Sequence, residues 1–119
     1  MPNPLVVILM GSQSDLEHCR KIVTACEPFG IECVLRIASA HKTAARLLAI
    51  LETYEADSRP KVYITVAGRS NALSGMVDAS VGSPVIACPP ASSSFGGADI
   101  FSSLRMPSGV APMVVLDPG

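Results

Sequence analysis

Short apolar runs alternate with stretches of helical periodicity along almost the whole of this 119-residue chain. Apolar runs rich in Val, Ile and Leu stand at 4–10, 31–38, 61–67, 84–88 and 112–117. Continuous runs of this length are typical of strands that are buried on both faces of a parallel sheet. The sequence therefore predicts five strands.

The stretches between the strands predict four helices, one from Ser14 to the glycine at position 30 and others at 43–56, 71–81 and 98–106. Strict alternation of strands and helices with short connections requires right-handed crossovers and places helices on both faces of the sheet. We expect a flavodoxin-like three-layer α/β/α fold with a five-stranded parallel sheet, in which residues 1–119 form a single domain.

Two details of the helices can be predicted from spacing. Ser14 and Glu17 have the spacing of a capping box, so the first helix should begin at Ser14. In the second helix, the periodicity predicts four core-facing side chains, those of Leu47, Leu48, Leu51 and Tyr54.

The predicted fifth strand ends just before the chain does, so no helix follows it. A parallel sheet normally has both faces covered. We expect either that a neighbouring subunit covers this face or that the chain lacks a natural C-terminal helical segment.

The charge composition excludes several kinds of partner. Nine basic and ten acidic residues give a net charge of −1, which predicts neither a nucleic-acid surface nor a basic membrane-binding cluster. No apolar run has membrane-spanning length and the N-terminus lacks a secretory signal pattern, so we expect a cytoplasmic protein. Charged residues make up only 16% of the chain, against roughly 25% in ordinary domains, which favours a homo-oligomer.

The four cysteines, at 19, 26, 33 and 88, include no Cys-x-x-Cys pair. A zinc site or a dithiol redox site is therefore not expected. Free cysteines that fill the core are the better interpretation.

Polar loops follow the first three strands, at 11–15, 39–42 and 67–71. Because the carboxyl ends of parallel strands meet at one edge of a sheet, we expect these loops to converge. The first, GSQSD, combines a glycine and two serines with a helix start, which suits a phosphate, although a plain capped helix would look the same. Asp15 could accept hydrogen bonds from sugar hydroxyls.

The second loop, SAHK, contains the candidate acid or base. Ser39 and Lys42 are placed to share an anion, and His41 is a candidate proton carrier because histidine is the usual acid or base of active sites. His18, by contrast, falls among polar neighbours in the first helix, and we expect it to be exposed and inert.

In the third loop, AGRSN, Arg69 suits bidentate recognition of an anion or carboxylate, and Ser70 or Asn71 could cap the next helix. The small-residue loop at 88–97 is either a mobile cover over the same site or an ordinary connection. The residues alone thus predict a site for a phosphorylated small molecule with a histidine acid or base, and they do not name the reaction.

Five segments resemble, in order and spacing, the phosphoribosylaminoimidazole carboxylase (PurE) family of purine biosynthesis: VVILMGSQSD, SAHK, VAGRSNALSGM, PVIACPP and SSLRMPSG. The resemblance covers about residues 5–117, and the conjunction of G-S-x-S-D with S-A-H-[KR] is specific to it. The mutase class usually has S-A-H-R and A-G-G-A-A-H, whereas this chain has Lys42 and the stretch 69–72, RSNA. It is therefore similar to the second class, which carboxylates aminoimidazole ribonucleotide (AIR) directly with CO2. That class includes the carboxylase domain of the animal bifunctional enzyme, whose synthetase sequence is not present here.

The resemblance implies a role for each loop. The residues implied to contact the nucleotide or CO2 are Gly11, Ser12, Ser14, Asp15, Ser39, Ala40, Lys42, Gly68, Arg69, Ser70 and Asn71. Gly68 and the amides that follow it, with Ser70 and Asn71, would hold CO2 or the new carboxylate. His41 would move the proton from C4, which completes 4-carboxy-5-aminoimidazole ribonucleotide (CAIR). The family implies no metal, biotin or ATP, and it forms homo-oligomers, commonly octamers, in which helical sequence beyond the fifth strand packs between subunits.

Three alternatives remain open at this point. The first is a mutase acting on N5-carboxyaminoimidazole ribonucleotide. The second is a flavin- or nucleotide-binding module, which the lack of tryptophan and the presence of only two tyrosines disfavour. The third is a structural subunit or an inactive fragment.

Overall fold

The predicted strands form one sheet. A computed structural model describes residues 3–119, apart from the side chain of Ser94. The strands are β1 (Leu5–Met10), β2 (Glu32–Ile37), β3 (Lys61–Val66), β4 (Val85–Ala87) and β5 (Met113–Val114). All the pairings are parallel and the strand order is β2-β1-β3-β4-β5, which confirms the predicted flavodoxin-like α/β fold.

Helices cover the sheet from both sides. They are α1 (Leu16–Cys26), α2 (Ala44–Glu55), α3 (Leu73–Ser80) and α4 (Phe101–Leu104). β1 lies at the centre, and all six of its residues are buried because side chains alternate between two covered faces. Leu5, Val7 and Leu9 pack in the core cluster that contains residues of α2 and α3, whereas Val6, Ile8 and Met10 pack in the cluster that contains residues of α1. No helix within residues 3–119 is both long and apolar enough to cross a membrane.

The first helix begins later than the capping box predicts. Ser12 is the N-cap, because its hydroxyl oxygen accepts hydrogen bonds from the Ser14 N–H (3.3 Å) and the Ser14 hydroxyl (3.0 Å). A single 3-10 turn, Gln13–Asp15, precedes the α-helix. The predicted cap at Ser14 is therefore wrong, since the chain already turns directly after β1.

The buried face of α2 differs from the prediction at one position. Leu47, Ile50 and Leu51 are at most 5% exposed, and Tyr54 packs beside them, but Leu48 is 47% exposed. Each residue turns about 100° around a helix, which takes Leu48 off the line that joins the buried positions. The prediction that Leu48 faces the core was wrong.

The last two elements are shorter than predicted. Within 98–106, only α4 is α-helical, and it follows 3-10 turns at Ser94–Ile100. The helix has ended by Arg105, which is extended (φ −97°, ψ 105°), and Met106 precedes Pro107, a position that disfavours helix. β5 pairs with β4 over two residues only, because β4 itself is three residues long.

The cysteines fill the core as predicted. Cys19 and Cys88 are buried, Cys26 and Cys33 are half-buried, and all four are free thiols. Burial raises the pKa of Cys19 to about 12 and, with Cys26 beside it, that of Cys33 to about 11. These two thiols therefore stay protonated near neutral pH, when they are poor nucleophiles.

Candidate active site

The three polar loops converge as predicted. Together with the loop that follows β4, they enclose a cavity of about 560 Å³ at the carboxyl edge of the sheet. Every candidate site residue except Asn71 lines this cavity: Gly11, Ser12, Ser14, Asp15, Ser39, Ala40, His41, Lys42, Gly68, Arg69 and Ser70. Strand order explains the convergence, because β2, β1 and β3 are adjacent in the sheet and all end at this edge.

The loop after β1 presents hydroxyls and a carboxylate to the cavity. The N–H of Gly11 donates to the Val66 carbonyl (3.0 Å), which fixes the start of this loop against β3. Burial raises the pKa of Asp15. A hydrogen bond with the backbone of Ser12 and the charge of the nearby His18 act in the opposite direction, but burial is the larger effect. A partly desolvated carboxylate of this kind gains from hydrogen-bond donors such as sugar hydroxyls.

The loop after β2 is a compact turn. The Ser39 hydroxyl accepts the N–H of Lys42 (3.2 Å), and the Ser39 N–H donates to the Thr43 hydroxyl (2.9 Å). The Thr43 N–H donates back to the Ser39 carbonyl (2.9 Å). These bonds fix His41 and Lys42 on the cavity side of the turn, where both are exposed.

The ring of His41 is oriented by the third loop. Its Nε2 lies 3.1 Å from the Ser70 carbonyl oxygen. A carbonyl oxygen can only accept, so Nε2 must carry the proton of this hydrogen bond. In the neutral ring, Nδ1 is then the nitrogen with the lone pair, and it can take up a proton from a bound molecule.

The third loop itself has a strained conformation. Arg69 has a φ of 58°, a left-handed conformation that is uncommon outside glycine. Its N–H donates to a carboxylate oxygen of Asp99 (3.0 Å), and the N–H of Asn71 donates to the Ser102 hydroxyl (2.9 Å). The amides of Arg69 and Asn71 are therefore already engaged, which leaves those of Gly68 and Ser70 as the candidates to hold CO2 or a carboxylate.

Asn71 lies behind the cavity wall. It is 4% exposed, and its side-chain amide donates to the hydroxyls of Ser74 (3.0 Å) and Ser103 (2.8 Å). Its Oδ1 accepts the Ser74 N–H (3.2 Å), which caps α3. Asn71 therefore caps α3, as the sequence allowed, and its side chain does not line the cavity.

The loop after β4 forms the remaining wall, through Pro90, Ala91 and Ser92. Of the two interpretations left open, the loop has the position of a cover beside the cavity, and its mobility stays a prediction. A Cβ added at Gly68 would lie 3.6 Å from Cγ of Pro90, an ordinary van der Waals distance, so the third loop and the β4 loop are neighbours at this point.

His18 lies beside the β4 loop, and its surroundings differ from the prediction. It is half-buried, and its Nε2 lies 3.0 Å from the carbonyl oxygen of Cys88, directly before the β4 loop. The prediction that His18 is exposed was wrong, and the prediction that it takes no part in the chemistry stays a prediction. A signal was available, because His18 stands three residues after Asp15 and four before the buried Ile22, on one helix face.

Metal-binding groups are not concentrated in the described part of the chain. Among residues 3–119, no three His, Cys, Asp or Glu side chains come together in the manner of a metal site.

Fold and cavity together define a class of protein, a flavodoxin-like α/β domain whose sheet edge presents hydroxyls, a lysine and a histidine to one cavity. Within that class, the chain belongs to the AIR carboxylase family, whose family model matches residues 5–118.

Known relatives agree with this assignment. The phosphoribosylaminoimidazole carboxylase of Treponema denticola is 62% identical over 115 residues, which are 97% of this chain and 72% of the relative. The Archaeoglobus fulgidus protein of the same name is 61% identical over 93% of this chain. The rat bifunctional phosphoribosylaminoimidazole carboxylase/phosphoribosylaminoimidazole succinocarboxamide synthetase is 50% identical over 95% of it. The chain spans 61% of the archaeal protein and 27% of the rat protein.

The crystal structure of Treponema denticola PurE has a TM-score of 0.95 at 61% identity and covers 98% of this chain, which spans 73% of that structure. The family predicted from the sequence is thereby confirmed. The carboxylase activity predicted with it is the activity for which these relatives are named.

Proposed function

We propose that the cavity carboxylates AIR directly with CO2 and releases CAIR, a step of purine biosynthesis. The observation that carries the proposal is the placement of His41. It stands at a cavity lined by phosphate-binding groups, with Nε2 held by the Ser70 carbonyl and Nδ1 available for proton transfer.

The nucleotide is recognised by two loops. The hydroxyls of Ser12 and Ser14, together with Ser39 and the ammonium group of Lys42, suit a phosphate, since hydroxyl donors and a cation converge on one cavity. The Asp15 carboxylate suits the ribose hydroxyls. Binding of this kind also orients the imidazole ring, which converts a bimolecular encounter with CO2 into a reaction between held partners.

The chemistry needs one base. C4 of AIR is enamine-like, and it attacks the carbon of CO2 to form a carbon–carbon bond. The resulting intermediate carries both a hydrogen and the new carboxylate on C4. His41 removes that proton through Nδ1 and restores the aromatic ring. The amides of Gly68 and Ser70, with the guanidinium of Arg69, hold the carboxylate.

Turnover of AIR tests the proposal. The protein is mixed with AIR and bicarbonate without ATP, and CAIR is followed by its absorbance, while parallel wells contain N5-carboxyaminoimidazole ribonucleotide. Product from AIR supports the direct carboxylase, and product from the N5 compound alone would make the protein a mutase. His41→Asn should abolish turnover and leave AIR affinity within about threefold, because the proton carrier is lost and the phosphate groups remain. Normal turnover by that variant would refute the role of His41.

We also propose a cytoplasmic homo-oligomer, of which the octamer is the form that the family implies. The support lies on the sheet face that α1 only partly covers. Met113 and Val115 on that side are 56% and 43% exposed, and the neighbouring Ile64 and Ile86 are half-buried. Light scattering on the purified protein tests this, and a monomer at micromolar concentration would contradict it.

A further inference from the structure

A residue outside the large cavity controls the conformation of the loop that orients His41. Asp99 belongs to the 3-10 segment Ser94–Ile100 and is not among the residues that line the cavity. Its carboxylate accepts the N–H of Arg69 at 3.0 Å, thirty residues away in the chain. That N–H belongs to the left-handed residue of the loop, the one whose backbone has the strongest tendency to relax.

A serine fixes the carbonyl side of the same peptide stretch. The Ser102 hydroxyl accepts the N–H of Asn71 (2.9 Å). It also lies 3.0 Å from the carbonyl oxygen of Arg69 and 2.7 Å from that of Asp99, either of which can accept its proton. The loop is thus held at the N–H groups of Arg69 and Asn71 by one short segment, which can also donate to the Arg69 carbonyl.

The group between these fixed points is the carbonyl of Ser70. It accepts hydrogen bonds from Nε2 of His41 (3.1 Å) and from the N–H of Ala72 (3.1 Å). The direction of this carbonyl follows from the dihedral angles of Arg69 and Ser70. A carbonyl that accepts at Nε2 selects the ring form in which Nδ1 carries the lone pair.

We propose that Asp99 is a positioning residue for His41. By capping the left-handed Arg69, it holds the Ser70 carbonyl where it fixes the orientation and the tautomer of the histidine ring. The inference rests on the proposed proton transfer by His41, and it extends that role to a carboxylate that does not contact the histidine. Asp99 does not line the large cavity, although it lines a smaller one of about 240 Å³ beside it.

The chain supplies a matched control. Asp78 also uses its carboxylate to cap a distant backbone N–H, that of Ala111, at the same 3.0 Å, and it does not line the cavity. Asp99→Ala and Asp78→Ala therefore each remove one charge-assisted hydrogen bond to the backbone. The two variants differ in the backbone that loses the bond: Arg69 is next to Ser70, whose carbonyl orients His41, whereas Ala111 is not.

In the kinetic test, Asp99→Ala should lower kcat about tenfold, as expected for the loss of one charge-assisted bond that acts on the transition state. AIR affinity should stay within about twofold of wild type, and Asp99→Asn, which keeps an acceptor oxygen, should recover most of the rate. Asp78→Ala should leave kcat unchanged. An unchanged kcat in Asp99→Ala would overturn the proposal, as would AIR affinity that falls in step with kcat, because the aspartate would then shape the whole cavity.

A second readout needs no turnover. The chain has two histidines, so the ring nitrogens can be followed by 15N NMR of histidine-labelled protein and assigned with His41→Asn. In wild type, His41 should show a single tautomer with the proton on Nε2, and in Asp99→Ala its shifts should move towards an average of both. His18, bonded to the Cys88 carbonyl, is the internal reference. Unchanged His41 shifts refute the inference, whereas a failure to carboxylate AIR by wild type refutes only the proposed function.

Discussion

Replacement of His18 by phenylalanine should loosen the cavity wall formed by the loop after β4. The N–H at Nε2 of His18 donates to the carbonyl of Cys88 at 3.0 Å, and Cys88 is only 2% exposed. Pro89 and Pro90 follow at once, and Pro90 lines the cavity. This hydrogen bond therefore joins α1, which follows the GSQSD loop, to the cavity wall formed by the β4 loop.

The size of the effect follows from what phenylalanine changes. It keeps a ring of similar volume and removes the donor, so the contact is lost without a cavity. Leaving a buried carbonyl without its partner costs about 1–3 kcal/mol. We expect the free energy of unfolding of His18→Phe to fall by this amount, and AIR affinity to fall several-fold because the β4 wall is less well fixed.

Urea denaturation and titration with AIR measure the two effects. His18→Gln is the control, because its amide keeps an N–H donor on a chain of similar reach and should retain most of both quantities. If His18→Phe matches wild type in stability and in AIR affinity, the link between α1 and the β4 loop contributes nothing and the reasoning fails.

Two further predictions concern carboxylates. Burial raises the pKa of Asp15, so the carboxyl binds its proton more tightly in the folded protein than in the unfolded chain. Its contribution to stability is therefore fully present below the unfolded pKa and is lost as the pH rises through the folded pKa. Asp15→Asn should therefore increase stability at pH 7 and weaken AIR binding, as measured by urea denaturation and titration; a loss of stability would contradict the first part. Burial alone would raise the pKa of Glu55, but hydrogen bonds from Gly82, Tyr63 and Ser83 outweigh burial and lower the pKa. The contribution of Glu55 to stability is therefore present at neutral pH and is lost as the pH falls through the pKa of the folded state. Tyr63→Phe removes the 2.9 Å bond from the fully buried tyrosine and should cost about 1 kcal/mol at pH 7, with a smaller difference in acid; equal stabilities at pH 7 would argue against it.

The fold was predictable because its signals are local. Each strand is a short apolar run, and a right-handed β-α-β connection leaves few arrangements for five such runs. Strand positions also predicted where the candidate site lies. Ser12, His41 and Ser70 each stand in the loop that follows a strand, and the three strands end at one edge of the sheet. No knowledge of distant contacts was needed for these predictions.

Element lengths were less predictable, because they depend on pairing. β5 is two residues long since β4 offers it only a short edge, and the apolar run at 112–117 contains no sign of that limit. Leu48 is exposed because α2 buries a narrow stripe, whose position depends on how the helix lies on the sheet. Periodicity predicts that a helix has a buried apolar face, but it does not determine which residues lie at the borders of that face.

The residues that hold the site in shape were the hardest to predict, for a physical reason. A residue that faces a ligand is marked by its place after a strand, but a residue that supports a loop is marked only by its partner. Nothing in the residues beside Asp78 or Asp99 marks either one as a supporting residue. Each accepts a hydrogen bond from a backbone N–H about thirty residues away. The partner of Asp78 is the N–H of Ala111, ahead of β5, and the partner of Asp99 is the N–H of Arg69, in the loop that orients His41. These pairings exist only after the chain has folded. If Asp99 positions His41 as proposed, its effect comes from the loop against which its segment packs, which is why Asp99 lies outside the five segments that resemble the family.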